Sequence, residues 1–144
     1  MQDVNNTQNI SHEDLVVNLK TLITSINDYK GRWSEDHSTK VGSVIEYNPW
    51  SAPITFDAMK FLYDNDLIVS FDWGKWEEGR EFFKNDDPNK FNSLDREWVL
   101  KLLTAVARND RFCDGAWAEL FESGSAQKLF ARLLEIEESQ WKTN

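Results

Sequence analysis

Two short stretches carry the residue types that could do chemistry. The first is Phe71-Asp72-Trp73-Gly74-Lys75-Trp76. An Asp beside paired indoles can line a pocket, the rings giving flat binding faces and the carboxylate fixing a donor. Arg80 follows Trp76 by one helical turn and could stack on its ring. The same residues also suit a structural part, with Asp72 capping a helix and both rings filling the core. The second stretch is Arg108-Asn109-Asp110-Arg111-Phe112-Cys113-Asp114-Gly115. An Arg pair can grip a carboxylate or phosphate, with Asp110 or Asp114 as acid, base or orienter. Helix-end electrostatics accounts for the same types: Arg108 suits the negative end of one helix and Asp114 the positive start of the next. The structural account is the simpler one for both stretches, and the pocket is the one with consequences.

Other chemistries lack their residues. A zinc site needs Cys, His or carboxylate ligands at clustered spacing, and His12, His37 and Cys113 are scattered. Gly74 and Gly79 have the separation of a phosphate loop, but Arg80-Glu81 follows where Lys-Ser/Thr is required. The stretch from Asp86 to Glu97 has no central glycine or alternating acidic ligands for calcium. A nucleophilic Ser or Cys needs an imidazole base, and both histidines read as surface residues away from Cys113. The sequence therefore leans away from an enzyme and implies no metal or cofactor.

Six helices must position the two stretches. Ser11 offers an N-cap, and Leu15, Leu19, Leu22, Ile23 and Ile26 form a helical stripe, giving a helix over about 12–29. Residues 1–10 are polar and read as a disordered tail, so the domain is expected over 11–140. Residues 30–53 read as a long connection with at most a short β element near 41–47. A second helix starts at Pro53, which suits a first turn, with Phe56, Met59, Leu62 and Tyr63 as its expected buried side. Asp72 can cap a third helix over 73–84, and Ser93 a fourth over 94–109 that carries Trp98, Leu102 and Val106 inward. A fifth holds Trp117, Leu120 and Phe121 and stops at Gly124. A sixth, over 126–138, carries Leu129, Leu133 and Ile136 on one face, with Phe130 and Leu134 widening it. The expected fold class is all-α: a single compact helical domain, not a simple bundle.

Charge narrows the partner classes. The chain has 144 residues, net charge −9 and one Cys. Repulsion from phosphates argues against nucleic acid and anionic membranes, and no apolar run approaches a membrane span. One cysteine forms no internal disulfide, so a cytoplasmic location is expected. Seven Trp residues are the sharper feature, and Trp76, between Asp72 and Arg80, is the one to watch.

Three segments carry a resemblance: V-S-F-D-W-G-K-W (69–76), L-L-T-A-V-A-R-N-D-R-F-C-D-G-A-W-A (102–118) and E-S-G-S-A-Q-K-L-F-A-R-L (122–133). Their order resembles a family of bacterial proteins of unknown function, with F-D-W-x-x-W and L-L-T-x-x-x-R-x-[DE]-R-F-x-[DE]-G motifs, over about residues 47–136. The resemblance brings no activity with it. It implies that Asp72, Trp73, Trp76, Arg108, Arg111, Phe112, Asp114 and Gly115 belong to one structural or functional centre. Three readings compete. The leading one is a small protein-interaction or regulatory domain, binding an unidentified protein or itself through exposed Trp and Arg. The alternative is a small-molecule-binding protein or enzyme with an Asp/Arg/Trp pocket. The third is an acidic inhibitor imitating nucleic acid, which needs massed carboxylates. Only Glu135, Glu137 and Glu138 read as a cluster without a close cation.

Overall fold

The first helix, α1 (His12–Asp28), starts where the sequence places it: Ser11 Oγ accepts the Asp14 N–H at 3.0 Å, satisfying a donor the helix leaves unpaired. Its Leu15, Val16, Leu19, Leu22 and Ile26 are buried. The computed structural model describes residues 11–36, 39–41, 44–46, 49–112 and 116–143, so the expected tail over 1–10, His37 and Cys113 lie outside the described residues.

The connection after α1 is tied down at both ends. Trp33 stacks on Phe121 at 4.8 Å between ring centroids, and the Ala52 N–H donates to the Trp33 carbonyl at 2.8 Å. Between them lie two short antiparallel pairs: β1 (Ser34–Asp36) with β4 (Pro49–Ser51), and β2 (Thr39–Val41) with β3 (Val44–Glu46). The β element expected near 41–47 falls in the inner pair, and helices carry the rest of the fold.

Helix α2 (Pro53–Asp64) has Pro53 in its first turn, and Thr55 Oγ1 donates to the Ala52 carbonyl at 2.6 Å. Its buried face is Ile54, Thr55, Ala58, Phe61 and Leu62. The sequence assigned Phe56 and Tyr63 to that face, but they are 61% and 44% exposed. Apolar residues surround this helix, and periodicity alone could not choose between two overlapping stripes. The helix stops on Asp66, whose φ of 57° is left-handed. The Leu67 N–H reaches back to the Leu62 carbonyl at 2.9 Å and the Asp66 N–H to that of Tyr63 at 3.2 Å, the paired bonds of a Schellman stop.

The third predicted helix is two elements. A 3-10 turn covers Trp73–Lys75, Trp76 is extended, and α3 runs over Glu77–Lys84. No hydrogen bond from the Asp72 side chain caps the turn. At the other end of α3, Lys90 Nζ donates to the carbonyls of Phe82 and Asn85, both at 2.7 Å, which satisfies acceptors the helix leaves open. Burial holds the Lys90 pKa below its ordinary value, with Lys128 adding to that and Asp86 opposing it.

Helix α4 (Arg96–Phe112) starts later and ends later than the sequence suggested. Asp95, not Ser93, caps it: its Oδ1 accepts the Trp98 N–H at 2.9 Å. Thr104, fully buried on α4, accepts the Val69 N–H at 3.1 Å, which fixes the loop before the 3-10 turn onto the helix. Helices α5 (Ala116–Glu122) and α6 (Ser125–Thr143) follow, separated by Gly124 at φ 85°. Helix α6 packs on α1, α4 and α5. One apolar cluster draws on α1, α2, α4, α5 and α6, with Trp117 stacked on Phe130 at 6.2 Å inside it.

Candidate functional site

The loop pinned by Thr104 places Phe71 and the Trp73–Lys75 turn against α4, and the indoles set the shape there. The Trp76 ring meets Phe71 edge-on at 5.2 Å and Trp98 of α4 at 5.0 Å. It folds back over Gly79, where an added Cβ would come within 2.3 Å of the ring. A side chain at 79 and the observed ring cannot coexist, so this glycine creates the space the indole fills. The Lys101 ammonium lies 5.8 Å from the Trp76 centroid and 5.4 Å from that of Phe71, in cation–π range. The sequence offered Arg80 for that stacking. Instead Arg80 bonds the Gly74 carbonyl and Glu77 Oε2, the latter at 3.1 Å, so it braces the 3-10 turn against α3.

A groove of about 530 Å³ opens beside this cluster. Ala105 and Val106 of α4 and Leu120 of α5 make its apolar floor, and Trp73, Trp76 and Phe83 wall one side. Arg80, Asn109, Glu119 and Ser123 bring polar groups to the rim. Both indoles are half-buried. Among the described lining residues, Arg80 and Glu119 are the ionisable ones.

The sequence-predicted site residues divide. Trp73, Trp76 and Arg80 line the groove. Asp72 is exposed and outside the lining. Arg108 faces α2, where its Nη1 donates to the Tyr63 hydroxyl at 3.3 Å. The side chains of Asp110 and Arg111, and the whole of Asp114, lie outside the described residues. Asn109 and Ala116, which flank that segment, both line the groove. The three motif-bearing segments therefore meet here: 69–76 supplies Trp73 and Trp76, 102–118 supplies Ala105, Val106, Asn109 and Ala116, and 122–133 supplies Ser123 and Ser125.

Comparison with known families bears on the same segments. The model of a family of unknown function, DUF6508, matches residues 8–139. The chain belongs to that family. The match takes in α1 and the paired strands as well as the motif-bearing stretch. Neither the curated proteins nor the solved structures give a match.

A second polar arrangement escaped the sequence reading. Glu137 of α6 is 1% exposed, with Oε1 at 2.9 Å from His12 Nε2 and Oε2 accepting from Arg96 Nε at 2.6 Å. His12 is therefore no simple surface residue; it helps join α1 to α6. A signal was present: Glu137 falls on the face of Leu129, Phe130 and Leu133, a carboxylate where the stripe calls for an apolar residue. The acidic trio is also not free of cations, because Glu138 pairs with Lys20 at 3.1 Å and Glu135 with Arg132 at 3.2 Å. No group of three or more His, Cys, Asp or Glu able to hold a metal occurs among the described residues. No helix among them is long and apolar enough to cross a membrane.

Proposed function

We propose that the protein is an interaction domain of the cytoplasm that takes a short segment of a partner protein in the Trp73–Trp76 groove. One observation carries the reading: three segments separated along the chain, all within the family match, line the same groove. A bulky apolar side chain of the partner would sit on Ala105, Val106 and Leu120, its face against the indoles. Arg80 and Asn109, on the rim, would hydrogen-bond the partner's backbone carbonyls. Trp and Arg are the residue types that anchor interfaces, and small residues such as Ala105 and Ala116 leave room for the guest. Arg80 is spent partly on Gly74 and Glu77, which suits recognition better than acid–base work.

The smaller-ligand reading has support of its own, since about 530 Å³ falls within the range of small-molecule sites. The acidic-inhibitor reading loses ground, because its carboxylate trio is paired with His12, Arg96, Lys20 and Arg132. The test is peptide selection against the folded protein and against Ala105→Phe, which fills the floor. Selected peptides should bind the wild type and lose at least about tenfold in affinity for the filled variant. Equal binding to both would remove the groove from the account.

A further inference from the structure

A second cavity, of about 390 Å³, lies near the other end of α6, between the start of α1, the 65–67 turn and the start of α4. From Ser125, at the groove, to Glu137 the helix rises roughly 18 Å, so the two sites are separate. Three features of this cavity stand out. Arg96 is held by its Nε on the buried Glu137 carboxylate, and its two terminal nitrogens have no protein partner among the described residues. A guanidinium locked in this way presents its outer edge as a fixed two-pronged donor, the shape that grips a carboxylate. Asp66 also lines the cavity, and its carboxylate has no partner among the described residues. It occupies a left-handed position, φ 57°, where glycine is the unstrained choice. Backbone strain accepted in order to place a particular side chain is a mark of binding sites. Finally, Leu15 and Leu67, both buried, add a small apolar patch to a lining whose other members are His12, Asn65, Asp66, Arg96, Glu137 and Gln140.

A fixed cationic fork, a free carboxylate and a small apolar patch around one small cavity match a zwitterion. The geometry points to a binding site for a free α-amino acid with an aliphatic side chain. Its carboxylate would lie on the Arg96 edge, its ammonium on Asp66, and its side chain against Leu15 and Leu67. Glu137, itself part of the lining and bonded to His12, orients Arg96. This inference is independent of the groove and stands or falls separately.

The test is calorimetric titration of the full chain with leucine, leucine methyl ester and 4-methylpentanoate. Leucine should bind saturably, and each analogue, lacking one charge, at least about tenfold more weakly. Asp66→Gly relieves the left-handed strain and so keeps the fold. It should weaken leucine about tenfold and leave 4-methylpentanoate unchanged. Arg96→Lys, which keeps the charge but loses the fork, should weaken both acids. No saturable leucine binding at millimolar concentration would overturn the inference. So would equal binding of the three probes, or undiminished leucine binding by Asp66→Gly.

Discussion

Replacing Arg96 with Met probes the place where, among the described residues, the helical core carries a charge. Glu137 is 1% exposed and holds two charge-assisted bonds, at 2.9 and 2.6 Å. Removing one partner of a fully buried pair costs about 3–5 kcal/mol. Here water reaches the partners, since the Arg96 side chain is 41% exposed and that of His12 is 32%. The loss should therefore lie nearer one charge-assisted hydrogen bond plus part of the desolvation of Glu137, about 2–3 kcal/mol. For a chain of this size that lowers Tm by roughly 5–10 °C. The double variant Arg96→Met/Glu137→Leu removes the stranded carboxylate together with its partner. It should sit within about 1 kcal/mol of wild type, a coupling of about 2 kcal/mol in a double-mutant cycle. Urea denaturation of the four proteins reads both quantities. A loss under about 0.5 kcal/mol for Arg96→Met, or an additive double variant, would mean that the pair is in effect a surface contact.

Three further outcomes follow from particular contacts. Gly79→Ala should cost about 1–3 kcal/mol by overpacking and shift the tryptophan emission, because the new Cβ overlaps the Trp76 ring; unchanged emission would count against that ring position. Asp66→Gly should stabilise the fold by about 0.5–1 kcal/mol through relief of left-handed strain, seen as a raised Tm; a lowered Tm would refute the helix-stop assignment. For Lys90, a depressed pKa means the unfolded chain binds more protons just below 10.5, so wild-type stability relative to Lys90→Met should be level around neutral pH and rise as pH climbs toward 10.5. A difference in denaturation midpoints that stays flat or falls over that upper range would contradict the burial of that ammonium.

How much of this was legible in the sequence depends on the range of the interaction. The Ser11 cap and the Leu15–Ile26 stripe are local, and α1 begins and buries as they dictate. The 73–84 segment has helical spacing throughout, yet Trp76 leaves the helix because Gly79 gives its ring a place to fold. That competition is tertiary and invisible to periodicity. Three members of the proposed aromatic site, Trp73, Trp76 and Arg80, were readable from residue type, but the floor supplied by Ala105, Val106 and Leu120 was not. These are ordinary apolar residues on core-facing helices until the turn packs beside them. The Glu137 pairs span 41 and 125 residues, and one sequence offers only the misplaced carboxylate as a clue.

Occupation of the groove by a partner's segment can be read from the indole N–H resonances. A peptide selected against the folded protein is titrated into labelled protein and the Trp signals are followed. On binding, Trp73 and Trp76 should shift together, Trp117, 1% exposed in the core, should stay in place, and Ala105→Phe should abolish the response. Binding that leaves Trp73 and Trp76 unmoved, or that survives Ala105→Phe, would contradict occupation of the groove.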